Sequence, residues 1–274
     1  MLTAVLRDAL KSNSADVRLD VAALELAAIE FPGLDFEAAL FRLDHFAEQI
    51  HSHLRPGASG PEFIRVFNVH LFEHLQFRGN DGEYYDPRNS CLNSVISRRM
   101  GIPISLSVLY IEIARRLSRL VTGVGLPGHF IVSYHDGDTR YFIDPFHNGR
   151  VLSVDDCRDL ARETAGIDIR QNPAALQPVT PRQILMRMLN NLKAIYIRGR
   201  ALDKARQVLD LLIHADPETA EEYRVRGLIH VQQLQHRPAK ADLETYLRLA
   251  PSAADRHQVE QQLILIERWK AGLN

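Results

Sequence analysis

Apolar residues recur at helical spacing through residues 1–79, so this part of the chain reads as helices. Val21, Leu24, Ala28 and Ile29 keep the helical period until Phe31-Pro32-Gly33 stops it. Asp35 then fits an N-cap for a face made of Phe36, Ala39, Leu40, Leu43, Phe46, Ala47 and Ile50. After the breaker Arg55-Pro56-Gly57-Ala58-Ser59-Gly60-Pro61, a further face runs through Phe63, Val66, Phe67, His70, Leu71 and His74. The polar stretch Arg78-Gly79-Asn80-Asp81-Gly82-Glu83 and the later Asp86-Pro87-Arg88 read as loops. Helical spacing returns from Ser90 to Met100 and from Leu106 to Leu120, interrupted at Gly101-Ile102-Pro103, because proline cannot donate into the preceding turn. Short strands are predicted near 121–124, 129–135 and 139–144, and Asn148-Gly149 marks a tight turn into Val151-Leu152.

Beyond the connector Gln171 to Pro181 the pattern is helical only, and it repeats. Pro217 and Pro251 stand 34 residues apart, the length of a tetratricopeptide helix pair. Aligned on them, Leu189 matches Tyr223, Tyr196 matches His230, Ala205 matches Ala239 and Leu209 matches Leu243. Small Ala205 and Ala239 fit a close helix crossing, while Lys193 stands where the first helix of a repeat usually carries a small residue. A last helix, Asp255 to Lys270, would cap the stack. The alternative is an unrelated helical bundle.

These patterns divide the chain into an N-terminal helical region (1–79), an α+β core (80–175) and a helical array (181–274). The expected fold class is α+β, predominantly helical. The balance of 33 basic and 34 acidic residues argues against a nucleic-acid or anionic-membrane partner. The first residues, Met1-Leu2-Thr3-Ala4-Val5-Leu6-Arg7-Asp8, lack a signal-peptide pattern, and no stretch reaches the ~20 apolar residues of a membrane span. Only two cysteines are present, Cys91 and Cys157, with no CxxC spacing, so both are expected as free thiols in a cytoplasmic protein.

The chemical interest lies between Asn89 and Asp144. A type I′ turn at Asp136-Gly137 would pair His135 with Asp138, and counting back along the strands sets His129 opposite Asp144. Directly opposed residues share a face with Cβ atoms roughly 5 Å apart. An imidazole and a carboxylate placed so form the base and orienter of a Cys-His-Asp site, or a structural hydrogen bond across a hairpin. Cys91, after the capping residues Asn89 and Ser90, reads either as a thiol activated in a first helical turn or as a buried cysteine beside Leu92 and Val95. Ser105 reads as a rival nucleophile or as a helix cap. His70, Glu73 and His74 spell H-x-x-E-H, the pattern of an inverted zinc-peptidase helix, yet both histidines also continue an apolar stripe as core or rim residues. The pairs Arg98-Arg99 and Arg115-Arg116 read as solvated helix ends.

Phe77-Arg78-Gly79-Asn80, Tyr85-Asp86-Pro87-Arg88-Asn89-Ser90, Arg98-Arg99-Met100-Gly101-Ile102-Pro103-Ile104-Ser105-Leu106, Pro127-Gly128-His129-Phe130 and Ile143-Asp144-Pro145-Phe146 together resemble the SirB-type transglutaminase-like family. The resemblance covers nearly the whole chain. It implies bacterial proteins with a helical N-terminal part, a papain-like α+β core and C-terminal tetratricopeptide repeats; eukaryotic F-box proteins carry a similar core. It also implies a helix-borne cysteine working with a histidine and an aspartate on neighbouring strands, and His129 and Asp144 fall on those positions. The cysteine would stand at the head of the helix preceding the histidine strand, near Pro103 to Ser105, where this sequence has none; Cys91 lies one helix earlier. The expectation is therefore a non-catalytic or weakly catalytic core serving protein or peptide partners through the repeats, without a cofactor. The alternative is a cysteine-dependent amide hydrolase or acyltransferase, with Ser105 as a weaker nucleophile.

Overall fold

The computed structural model describes residues 4–14 and 16–270. By internal contacts the chain forms two compact units, residues 1–191 and 192–274. In the first, helices α1 (Ala4–Lys11), α2 (Leu19–Ala27), α3 (Phe36–His51) and α4 (Gly60–Asn68) precede a π-helical turn, Val69–His74. Asp35 caps α3 as expected, its carboxylate accepting the Ala38 amide at 3.0 Å. Strand β1 (Arg78–Gly79) pairs in parallel with β2 (Met100–Gly101), and α5 (Leu92–Arg98) lies between them in sequence. Then come α6 (Pro103–Arg116), β3 (Val121–Val124), β4 (Ile131–Asp136), β5 (Thr139–Asp144), β6 (Arg150–Leu152), α7 (Val154–Ala165), β7 (Pro178–Val179) and α8 (Pro181–Arg198). The main sheet is antiparallel, in the order β6-β5-β4-β3-β7.

Helix α6 is the spine of this unit. Pro103 fixes its first turn, and Ile104, Leu106, Val108, Leu109 and Ile113 make it apolar nearly all round, which suits a helix with no solvent face. It packs on α2, α3, α5, β3 and β4. Tyr110, fully buried, lies 4.1 Å from Phe67 between ring centroids, and its hydroxyl donates to Asn68 Oδ1 at 3.1 Å.

Such burial extends to charge. Asp20 of α2 and Glu112 of α6 are both buried, and the guanidinium groups of α6 hold them. Arg116 donates to Asp20 Oδ2 at 2.8 Å, Glu112 Oε2 at 3.1 Å and Asp44 Oδ1 at 2.6 Å; Arg115 reaches Glu112 Oε2 at 2.9 Å. Burial pushes the Asp20 carboxyl up, but hydrogen bonds from Arg18 and Arg116 outweigh it and the carboxyl ends below its usual range. Arg116, only 11% exposed, is thus no solvated helix end. Arg99 departs from that expectation too: its guanidinium lies over the rings of Phe46 and Phe77, 4.5 and 4.6 Å from their centroids. A run of basic residues cannot reveal carboxylates and rings supplied from far along the chain.

In the second unit, α8 runs on to Arg198 and is followed by α9 (Leu202–Ala215), α10 (Ala220–Gln232), α11 (His236–Leu249) and α12 (Arg256–Lys270). Helices α9 and α11 start and stop 34 residues apart, and Ala205 and Ala239 are both fully buried, as the repeat requires. A side chain on Gly227 would meet Leu243 at 2.9 Å, so this crossing tolerates no bulk. Lys193, at the equivalent place one repeat earlier, is accommodated as an ion pair: its ammonium donates to Glu222 Oε1 at 2.7 Å.

Two outcomes follow for stability. Arg116→Met leaves two buried carboxylates short of their main counter-charge and is expected to cost about 3–5 kcal/mol, read as a lower urea midpoint with an unchanged m-value. Ala239→Leu overpacks a closed helix crossing and is expected to cost about 1–3 kcal/mol in the same measurement.

Candidate active site

The β4–β5 hairpin carries the site, and its register differs from the expected one. Asp136 pairs with Thr139 and His135 with Arg140, so the two-residue loop is Gly137-Asp138 and not Asp136-Gly137. Positive φ falls at Gly137 (56°) and not at Asp138, as in a turn that needs glycine first. Relative to the expected pairing the strands are shifted by two residues. A slip of one would have turned every side chain to the other face; a slip of two keeps the face. Strand β4 begins at Ile131, and Asp144 therefore meets His129 diagonally across the hairpin end instead of directly opposite.

The contact itself is close. His129 Nε2 lies 3.0 Å from Asp144 Oδ2, with the two side chains 4% and 1% exposed. An ionised carboxylate only accepts, so in the neutral tautomer that fits this bond the imidazole proton sits on Nε2 and Nδ1 keeps its lone pair, the arrangement a general base requires. A second imidazole shares the same oxygen: His147 Nδ1 stands 2.7 Å from Asp144 Oδ2 and its ring is 53% exposed. The other carboxylate oxygen accepts the backbone amides of Phe146 at 3.0 Å and His147 at 3.4 Å. Asp-Pro turns favour this local capping, which is what folds residue 147 back over the carboxylate. Burial pushes the Asp144 carboxyl up, but its bonds to His129 and His147 outweigh that and hold it below the ordinary aspartate value.

Position and orientation of His129 are fixed from outside the hairpin as well. Arg187 of α8 donates to the carbonyls of Leu126 at 3.1 Å and His129 at 2.7 Å, with its guanidinium over the Phe130 ring. Neither His147 nor Arg187 stands among the residues expected from sequence. The Asp144-Pro145 turn carried a signal for the first, whereas the second lies 58 residues from its partner.

The two nucleophile candidates are placed as follows. Cys91 is the N-cap of α5 and not a first-turn residue; its sulfur is fully buried, and its hydrogen is directed to the Pro87 carbonyl at 3.4 Å. Ser105 is the third residue of α6, also fully buried. Its hydroxyl accepts the Ile102 amide at 3.1 Å and donates to the Asn89 carbonyl at 2.6 Å. Around them, Asn80 and Asn89 close the polar loop: Asn80 Nδ2 donates to Asn89 Oδ1 at 3.0 Å, and Asn89 Nδ2 to the Glu83 carbonyl at 2.7 Å. Gly79 packs against the Phe146 ring with no room for a side chain. The sequence blocks beginning at Phe77, Tyr85, Arg98 and Ile143 are thereby in mutual contact.

His70 and His74 lie in the π-helical turn, ring centroids 5.4 Å apart, with His53 5.7 Å from His70. His70 is buried and His74 exposed, and burial, then the neighbouring His74 and His53, lowers the His70 pKa. Among the described residues, the group of histidines and acids able to meet at one point is His129, Asp144 and His147, and it does not include this motif.

Comparison with known proteins agrees with the architecture. The transglutaminase-like superfamily model matches residues 37–190, and a tetratricopeptide-repeat model matches residues 192–264. The chain belongs to the transglutaminase-like superfamily, with a C-terminal tetratricopeptide region. A UPF0162 protein of Xylella fastidiosa is 36% identical over 245 residues, 88% of this chain and 87% of that protein. A UPF0162 protein of Pseudomonas aeruginosa is 30% identical over 246 residues, covering 88% of each chain. Human F-box only protein 21 is 31% identical over 156 residues, 54% of this chain but 24% of that protein. No helix of the described residues is long and apolar enough to cross a membrane.

The lowered Asp144 pKa fixes the sign of a pH effect. Its contribution to stability is fully present above the unfolded value of about 3.9 and is lost as pH falls through the lower folded value. Urea denaturation across pH 7 to 2 is therefore expected to show Asp144→Asn less stable than the wild type at neutral pH, with the gap closing below about pH 4.

Proposed function

We propose that this protein is a transglutaminase-like interaction module: a core that keeps the histidine–aspartate pair but has no cysteine at the head of α6, joined to repeats that receive a protein or peptide segment. The observation that carries this reading is the state of the two nucleophile candidates. The Ser105 hydroxyl, at the head of α6, is committed to Asn89 and Ile102, and the Cys91 sulfur is buried one helix earlier, with a bond to the Pro87 carbonyl. Stacked tetratricopeptide helices present a concave surface suited to extended segments, which supports a protein partner. A regulatory role, in which partner binding and not turnover is the output, fits the same reading.

The second reading rests on the His129–Asp144 pair, built as a catalytic base is built. In it, His129 takes the Cys91 proton, the thiolate adds to a carboxamide or peptide carbonyl, and the departing amine receives that proton. Water or a second amine then resolves the thioester.

Thiol reactivity separates the two. Burial pushes the Cys157 thiol up to about 12, so near neutral pH it stays silent and alkylation reports on Cys91. The interaction reading expects iodoacetamide labelling of the folded chain at no more than the rate set by opening of the fold, with Cys91→Ala leaving fold and partner capture intact. Rapid, saturable labelling of Cys91 that disappears in His129→Ala would overturn it. Loosening the tail with Ala205→Leu and Ala239→Leu together is expected to weaken partner capture, compared by pull-down from the full chain; an unchanged profile after verified unfolding of the tail rules out the repeats as the receiving surface.

A further inference from the structure

We propose that His129, Asp144 and His147 form a binding site for one divalent transition-metal ion of the zinc class. The observation is geometric. Nε2 of His129, Oδ2 of Asp144 and Nδ1 of His147 all lie within 4.8 Å of one another, and the two nitrogen–oxygen separations are 3.0 and 2.7 Å. Ligand atoms bonded to one ion at ~2.0–2.2 Å stand about 3–3.5 Å apart, so each nitrogen–oxygen pair is already close to the spacing an ion imposes.

The donor set selects the ion. Two imidazole nitrogens and one carboxylate oxygen suit zinc, cobalt, nickel or iron, whereas magnesium and calcium require mostly oxygen. Support around the ligands is of the kind such sites use. The second Asp144 oxygen is tied to two backbone amides, and the His129 backbone is held by Arg187. One side is open: His147 is half exposed while the other two ligands are buried, so the ion would enter from the His147 side and keep water on its free positions.

Occupancy has a chemical consequence for the base. Metal on Nε2 moves the His129 proton to Nδ1, and metal on Nδ1 of His147 moves that proton to Nε2. For neutral rings this is a change of tautomer in which no proton leaves the site. With its Nδ1 protonated, His129 can no longer take a proton from a thiol, so the metal-loaded site and thiol catalysis exclude each other. The assignment rests on the placement of the three side chains alone, and its test reads ion binding, separately from partner capture and thiol labelling.

The test uses the full chain, stripped with chelator and titrated with cobalt(II) by visible absorption and with zinc(II) by calorimetry. The expected result is one ion per chain with cobalt ligand-field bands. His147→Ala, at an exposed position that leaves the circular dichroism spectrum unchanged, should weaken binding by more than the roughly 10–100-fold cost of losing an outer-shell partner. His70→Ala with His74→Ala should bind as the wild type does. Absence of heat and of cobalt bands, or binding unchanged in His147→Ala, or binding lost only in the His70 and His74 variant, would each overturn the assignment.

Discussion

Helix α6 is buried along almost its whole length, and this constraint decides how the polar groups at its head, middle and tail are held. A helix without a solvent face has to satisfy its ends and its few polar side chains inside the protein. At its head, the Ser105 hydroxyl closes the turn on Ile102 and reaches the Asn89 carbonyl. At its middle Tyr110 finds Asn68, and at its tail Glu112 is held by Arg115 and Arg116. The polar side chain at the head of α6 is therefore engaged as a helix cap. It stands where the family resemblance puts a cysteine, and its bonds are those of a cap.

The hairpin end obeys a different economy, because one carboxylate oxygen serves two rings. Asp144 is buried and its charge is stabilised by two imidazoles and two backbone amides, so removing any one partner alters the others. This arrangement is richer than the base-and-orienter pair of a thiol hydrolase, in which the carboxylate attends to a single imidazole. The additional ring is on the exposed side, where a ligand can reach it.

Much of this was legible in the sequence, and the failures have physical causes. Periodicity located the helices and the three strands, and the spacing of Pro217 and Pro251 located the repeat, because both are local patterns. The facing of His129 and Asp144 survived a misplaced turn only because the error was an even number of residues. Cys91 was displaced from a first turn to a cap because Pro87–Ser90 forms its own short 3-10 turn before α5 starts. Arg99, Arg116 and Arg187 could not be read, since their partners come from distant segments and basic residues look alike on paper. Lys193 was visible as a departure from the repeat, while its resolution by Glu222 on the next helix was not.

The turn that follows His147 has a consequence for the lineage. Asn148 and Gly149 both take positive φ, the Gly149 amide donates to the Asp144 carbonyl at 2.8 Å, and a Cβ at residue 149 would fall 2.5 Å from Asn68 and Phe72. Backbone conformation and crowding thus forbid substitution there for separate reasons. The number of residues between the carboxylate and this glycine is consequently locked: an insertion or deletion would have to rebuild the α4 contact and the second imidazole at once. Distant descendants of this chain should vary in loop length almost anywhere on the sheet before they vary here.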